Sequence, residues 1–414
     1  MVKFDRFVLD NGLTVIVHRD KSTPIVAMNI IYKVGSRDEN PDKTGFAHLF
    51  EHLMFGGSVN IPKYDEPLQL AGGENNAFTN SDYTDYYLTI PKNNLEIGFW
   101  LESDRMLDLA FTPKSLDVQR QVVVEEFKQN YLNQPYGDVY LLLNPLAYKV
   151  HPYQWPTIGK NISHIENATM DDVKAFYKKF YNPDNAILTV AGDVDTAHVK
   201  ELAAKWFGTI RKKSDLGERS YPEEPEQTEP RSKTVHRKVP QDAIYMAWHT
   251  SVRNSKTYYD TDLLSDILSN GESSRMYRTL IKDKKLFSDI NAFITGDLDK
   301  GLFIVTGKLM NGVKMEDAEK AIDTEIEKIR NELVTKQEYE KVINKIEANL
   351  VYSRLSVLNK AMNLCYYEML GDADIYNHEQ ENYRNVTRES LRETAQRIFA
   401  PVRKNTLYYF AEKS

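Results

Sequence analysis

The chain has 414 residues, 41% hydrophobic and 27% charged, an ordinary globular composition with length enough for two or more domains. A formal charge of −7 leaves no basic footprint for nucleic acid, and no apolar run approaches the roughly 18 residues of a membrane span. The single cysteine, Cys365 in NLCYYEM, excludes an intrachain disulfide framework and reads as a core residue.

Residues 5–18 read as a hairpin, with a turn at Asp10-Asn11-Gly12 before a strand from Leu13 to His18. Pro24 to Val34 is a further strand. This alternating start carries no signal-peptide n-region or h-region, so a cytoplasmic location is expected. The loop GSRDENPDKTG then enters the stretch TGFAHLFEHLMFGGS, a helix that Gly56-Gly57 stops. It contains His48, Glu51 and His52. On a helix, His48 and His52 share one face at roughly 5–6 Å, close enough to hold one Zn²⁺ through bonds of about 2.0–2.1 Å. Glu51 falls where a carboxylate reaches water beside the metal, the His-x-x-Glu-His order of inverted zincins. An amphipathic helix with two ordinary histidines is the alternative.

A short helix at 61–71 precedes AGGENNAFTNSDYTDYYLTIP, which reads as an exposed, tyrosine-rich strand, and Leu95 to Leu109 is helical. The next helix opens with Thr112 as N-cap and Pro113 in its first turn, and runs SLDVQRQVVVEEFKQNYL. Val122, Val123 and Val124 suggest burial on much of its circumference. Glu125 and Glu126 are then costly unless paired or coordinating, and a catalytic zinc needs a third protein ligand. Both facing solvent is the alternative. An irregular stretch over 133–160, in which His151 suits a structured loop, leads to a helix from Met170 to Phe180, a strand NAILTVAGDV and a helix at 195–206.

Residues 211–238 are rich in Pro and Glu and poor in apolar side chains, the composition of a linker. Beyond it come a strand (243–249), a helix (258–268), a strand (301–309) and long helices at 315–333 and 336–354. MDDVKAFYKKFYNPDNAILTVAGD aligns with RESLRETAQRIFAPVRKNTLYYFAE at an offset of 218 to 219 residues, an internal duplication. The expectation is an α+β chain of two duplicated domains, each a mixed sheet covered by helices: residues 1–210 with the metal site, a linker at 211–238, and 239–414 without one.

These residues resemble the pitrilysin/insulinase-type zinc metallopeptidases, most closely the branch of the mitochondrial processing peptidase and its zinc-binding subunit. HLFEHLMFGGS is similar to the family's His-x-x-Glu-His followed by Phe-x-Gly-Thr, and AGGENNAFTN to its Gly-Gly-x-x-Asn-Ala-x-Thr. VVVEEF matches the acidic helix that supplies the third ligand, at Glu126, 74 residues beyond His52. The resemblance implies a zinc endopeptidase that cuts unstructured peptides in a clamshell chamber. His48, His52 and Glu126 would hold zinc, Glu51 would serve as general base, and Asn76, Ala77 and Phe78 would form the edge that binds the substrate backbone.

Two departures stand out. Gln119 replaces a supporting Glu seven residues before the zinc glutamate. Ile281 and Ser288 stand where the family carries an Arg and a Tyr that bind substrate carbonyls, and neither replaces those donors. A homologous second subunit supplying the pair, in a heterodimer, is therefore expected ahead of a homodimer, with compensation by Arg275, Tyr277 or Arg278 the lesser possibility. A catalytically silent core subunit of such a complex is the alternative function.

Overall fold

A computed structural model describes residues 1–217 and 219–412. In chain order its elements are β1 (Asp5–Val8), β2 (Thr14–Arg19), β3 (Ile25–Tyr32), α1 (Phe46–Leu53), α2 (Asp65–Leu70), β4 (Glu74–Thr79), β5 (Thr84–Pro91), α3 (Leu95–Leu107) and α4 (Pro113–Phe127). Then follow α5 (Val139–Ala147), α6 (Ile162–Glu166), α7 (Met170–Phe180), β6 (Ala186–Gly192), α8 (Thr196–Trp206), β7 (Arg231–Arg237), β8 (Ala243–His249) and α9 (Lys256–Ser269). The last third holds β9 (Phe287–Ile294), β10 (Leu302–Leu309), α10 (Met315–Asn331), α11 (Lys336–Ser353), α12 (Val357–Met369), α13 (Ile375–Arg384), α14 (Arg388–Ile398) and β11 (Asn405–Ala411).

The chain forms two compact units, and they exchange segments. The first takes residues 1–128, 155–221 and 350–378; the second takes 129–154, 222–349 and 379–414. Its contacts therefore divide differently from the contiguous 1–210 and 239–414 halves expected above. The reason is local. α12, late in the chain, lies on β3 and β6 of the first unit, where Leu364, Cys365 and Tyr367 bury against Ile16, Ile31 and Ile187. Ala361 meets Ala27 and Ala191, three small side chains that let helix and sheet approach closely. α5, from the stretch expected to be irregular, packs Val139, Leu143 and Ala147 against Tyr245, Ala247 and Tyr409 of the second unit.

In the first unit the strand order is β1-β2-β6-β3-β5-β4, with β2 and β6 parallel and the other pairs antiparallel. In the second it is β7-β11-β8-β10-β9, with β7 and β11 parallel. The second sheet repeats the first without β1, so the duplication read from sequence is one of topology. The repeat extends to capping. Thr169 and Asp172 form a capping box on α7, Thr387 and Ser390 form one on α14, and a Pro-led 3-10 turn follows each helix before its central strand.

The expected linker is partly structured. Its residues 231–237 are β7, and the Glu224 carboxylate accepts backbone N–H bonds from Lys149, Val150 and His151 at 2.8–3.1 Å. β9 was not foreseen, because its Asp289 and Asn291 interrupt the apolar pattern of an edge strand.

Candidate metal centre

α1 buries Phe46, Leu49, Phe50 and Leu53, the i, i+3, i+4, i+7 stripe of a helix packed on one side. Phe50 stacks on Phe176 of α7 with ring centroids 4.9 Å apart. The other side carries His48, Glu51 and His52 toward α4. α4 begins where the sequence places it, with Thr112 Oγ1 accepting the Ser115 N–H at 3.0 Å and Pro113 in the first turn. It buries Leu116, Val123, Val124 and Phe127. Val118 and Val122 are exposed, so the helix is less enclosed than its valine run suggests. The two glutamates part company: Glu125 points to solvent and pairs with Lys128, whereas Glu126 faces the histidines.

His48 Nε2 and His52 Nε2 lie 3.3 Å apart, and Glu126 Oε2 lies 3.6 Å from the first and 3.5 Å from the second. A tetrahedral centre with bonds of about 2.0–2.2 Å sets its ligand atoms about 3.3–3.6 Å apart, so this triangle has the dimensions of three zinc ligands around one point. No other group of three such side chains meets in this way among the described residues. Burial, with the neighbouring His52, pushes the His48 imidazole down to about 4, which keeps its nitrogen lone pair free near neutral pH.

Glu51 is held separately. Its Oε2 accepts the Thr79 hydroxyl at 2.7 Å, from the last residue of β4. Burial raises the Glu51 carboxyl above its ordinary range, while the Thr79 bond and the charge of His52 pull the other way. Thr79 lies within the quoted Asn-Ala-x-Thr segment, yet spacing alone gave it no role.

Among the described residues β4 is an edge strand, paired with β5 alone, and carries Asn76, Ala77 and Phe78. Asn76 turns its side-chain oxygen onto the Ala77 N–H at 2.8 Å, and the Phe78 ring packs edge-on against Tyr83. Gln119 is half-buried on α4, two turns before Glu126.

In the second unit, Ile281 lies in a π-helical turn (Tyr277–Asp283) and Ser288 donates to Gln241 Oε1 at 3.0 Å. Arg275 is committed to Glu338 through bonds of 2.7 and 3.0 Å. None of the described helices is long and apolar enough to cross a membrane.

Two family descriptions match the chain: "Insulinase (Peptidase family M16)" over residues 14–159 and "Peptidase M16 inactive domain" over 167–346. It is 29% identical over 418 residues to the zinc protease PqqE of Helicobacter pylori, covering 98% of this chain and 92% of that one. It is 24% identical over 358 residues to the uncharacterized zinc protease YmxG of Bacillus subtilis, covering 86% and 85%. Among solved structures, a protease from Helicobacter pylori superposes with a TM-score of 0.93 at 28% identity, covering 99% of this chain and all of that one. Pitrilysin shares the fold, with a TM-score of 0.75 at 17% identity over 99% of this chain and 45% of its own. With both halves matched by descriptions of one family, the chain belongs to the M16, or insulinase-type, peptidases.

Proposed function

We propose that the protein is a zinc-dependent endopeptidase acting on unstructured peptides. The observation that carries this reading is the 3.3–3.6 Å triangle of His48 Nε2, His52 Nε2 and Glu126 Oε2, with a separately held carboxylate, Glu51, on the same helix. Those three atoms would hold the metal, and a zinc ion there supplies Lewis-acid polarisation of a carbonyl and of water. Glu51 takes the proton of the attacking water and returns it to the leaving amine as the peptide C–N bond breaks. Thr79 keeps Glu51 turned to that task. The free edge of β4 suits a peptide laid down as an added strand, with main-chain hydrogen bonds that tolerate many sequences. Asn76, Ala77 and Phe78 would line it.

Ile281 and Ser288 offer no donor equivalent to an Arg and a Tyr, and Arg275 is engaged by Glu338, so a homologous partner subunit supplies those contacts. The test is hydrolysis of a quenched unstructured peptide by the zinc-loaded chain, with Glu51→Gln as blank. Glu51→Gln should keep stoichiometric zinc and lose cleavage; full residual cleavage rejects its role. Robust cleavage by the wild-type chain alone rejects the need for a partner.

A further inference from the structure

The helix that carries His48, Glu51 and His52 is capped by none of its adjacent side chains. Its N-cap is Gly45, at φ +90°, a conformation glycine favours. A Cβ there would meet the Ile158 carbonyl and the Ile165 side chain, each at 2.7 Å, so the usual Ser, Thr, Asp or Asn cap has no room. Two N–H groups at its N-terminus are satisfied from elsewhere. Glu39, six residues upstream and 6% exposed, accepts the Gly45 N–H through Oε2 at 2.9 Å and the Ala47 N–H through Oε1 at 2.8 Å. The buried Trp155 indole adds a third donor, 3.1 Å from Oε2, and also reaches the Ser36 carbonyl at 3.0 Å. Ala47 immediately precedes His48.

We propose that Glu39 is a positioning residue of the metal centre: a buried carboxyl that replaces the N-cap of α1 and fixes the axial setting and rotation of that helix. This rests on the zinc reading above. α1 has eight residues, about two turns, so any slip at its N-terminus passes directly to His48 and His52. Metal ligands hold their distances within about 0.2 Å, which leaves little room for such slip. Three N–H donors converge on two oxygens, and both oxygens remain acceptors whether or not the carboxyl carries a proton. An amide in their place has one oxygen. Whichever way it turned, its NH₂ would confront at least one N–H.

The test uses the full chain, stripped with a chelator and titrated with zinc against a chromophoric competitor. The visible spectrum of the cobalt-substituted protein serves as a second readout. Glu39→Gln should lower zinc affinity about 10–100-fold, the usual cost of losing a group that orients a ligand, and should alter the cobalt bands. Trp155→Phe keeps the ring but not the donor, and should move both readouts less, in the same direction. Ile187→Val, in the core beneath α12, should lower the melting temperature and leave both unchanged. Zinc affinity within twofold of wild type and an unaltered cobalt spectrum in Glu39→Gln would overturn the proposal. If that variant does not fold, unchanged affinity and bands in Trp155→Phe overturn it. A wild-type chain that takes up no zinc at all would instead remove the zinc reading on which the proposal rests.

Discussion

The Thr79 hydroxyl donates to Glu51 Oε2 at 2.7 Å, tying the last residue of the edge strand β4 to the helix that carries both histidines. Burial raises the Glu51 carboxyl and this bond opposes it. Thr79→Val keeps the shape and removes the donor, so the carboxyl rises further and is protonated at higher pH. A hydrogen bond to a charged group is worth about 1.5–3 kcal/mol, which corresponds to roughly tenfold or more in rate. The expected result is a kcat lowered about tenfold, an acid limb of the pH–rate profile moved to higher pH, and unchanged zinc stoichiometry. Thr79→Ser should restore most of the rate. A valine variant with the wild-type profile would show that Glu51 does not depend on Thr79.

Glu125 and Glu126 are adjacent in sequence and opposite in role. Glu125 is solvent-exposed with Lys128 as partner, and such surface pairs contribute about 0–1 kcal/mol. Glu125→Gln should leave zinc affinity and activity within about twofold. Glu126→Gln, which replaces the only anionic group among the three candidate ligands with a neutral amide, should release zinc at chelator concentrations the wild type withstands. Metal analysis after dialysis separates the two, and equal losses from both variants would contradict the placement of Glu126 alone beside the histidines.

How much of this was legible in the sequence follows from how local each feature is. The His48–His52 spacing and the Thr112 cap are written within a few residues, and each sits where its pattern places it. The choice of Glu126 over Glu125 depended on family resemblance, because two adjacent helical positions differ by about 100° and periodicity through a run of valines does not say which one faces α1. Glu39 was invisible for another reason. A cap supplied from six residues upstream has no fixed spacing, and its only hint was a glycine where a capping side chain belongs. The segment exchange that sends α12 to the first unit is a long-range matter of packing, and the sequence there marks Cys365 as a core residue without saying which core.

Lys360 of α12 donates to Asp20 at 2.5 Å, with both side chains largely buried. Burial pushes the Asp20 carboxyl up, but the bonds from Lys360 and Ser22 outweigh it and hold the group well below the usual carboxylate range. A carboxylate lowered on folding stabilises above its unfolded pKa of about 3.9, and that contribution is lost as pH falls toward the folded value. Asp20→Asn should therefore cost about 1 kcal/mol at pH 7, and the gap to wild type should narrow on going to pH 3. Urea unfolding at the two pH values measures it. A gap that stays constant would mean the ion pair contributes nothing.

The same helix sets a prediction about boundaries. Without α12, Ile16, Ile31 and Ile187 and the Ala27–Ala191 contact lose their cover, although all five side chains are at most 1% exposed in the full chain. A fragment of residues 1–210, the domain suggested by duplication alone, carries all three candidate metal ligands but not this cover. It should fail to unfold cooperatively, because the exposed apolar strip removes the burial that its sheet depends on. Ala361→Leu tests the same interface in the intact chain. The three extra carbons of leucine have no room between Ala27 and Ala191, and overpacking of this kind costs about 1–3 kcal/mol. The variant should melt at lower temperature, and the loss should be felt by zinc retention on heating, since the sheet under α12 belongs to the unit that carries His48, His52 and Glu126. A fragment 1–210 with a sharp melting transition and stoichiometric zinc would show instead that α12 is dispensable to the metal-bearing unit.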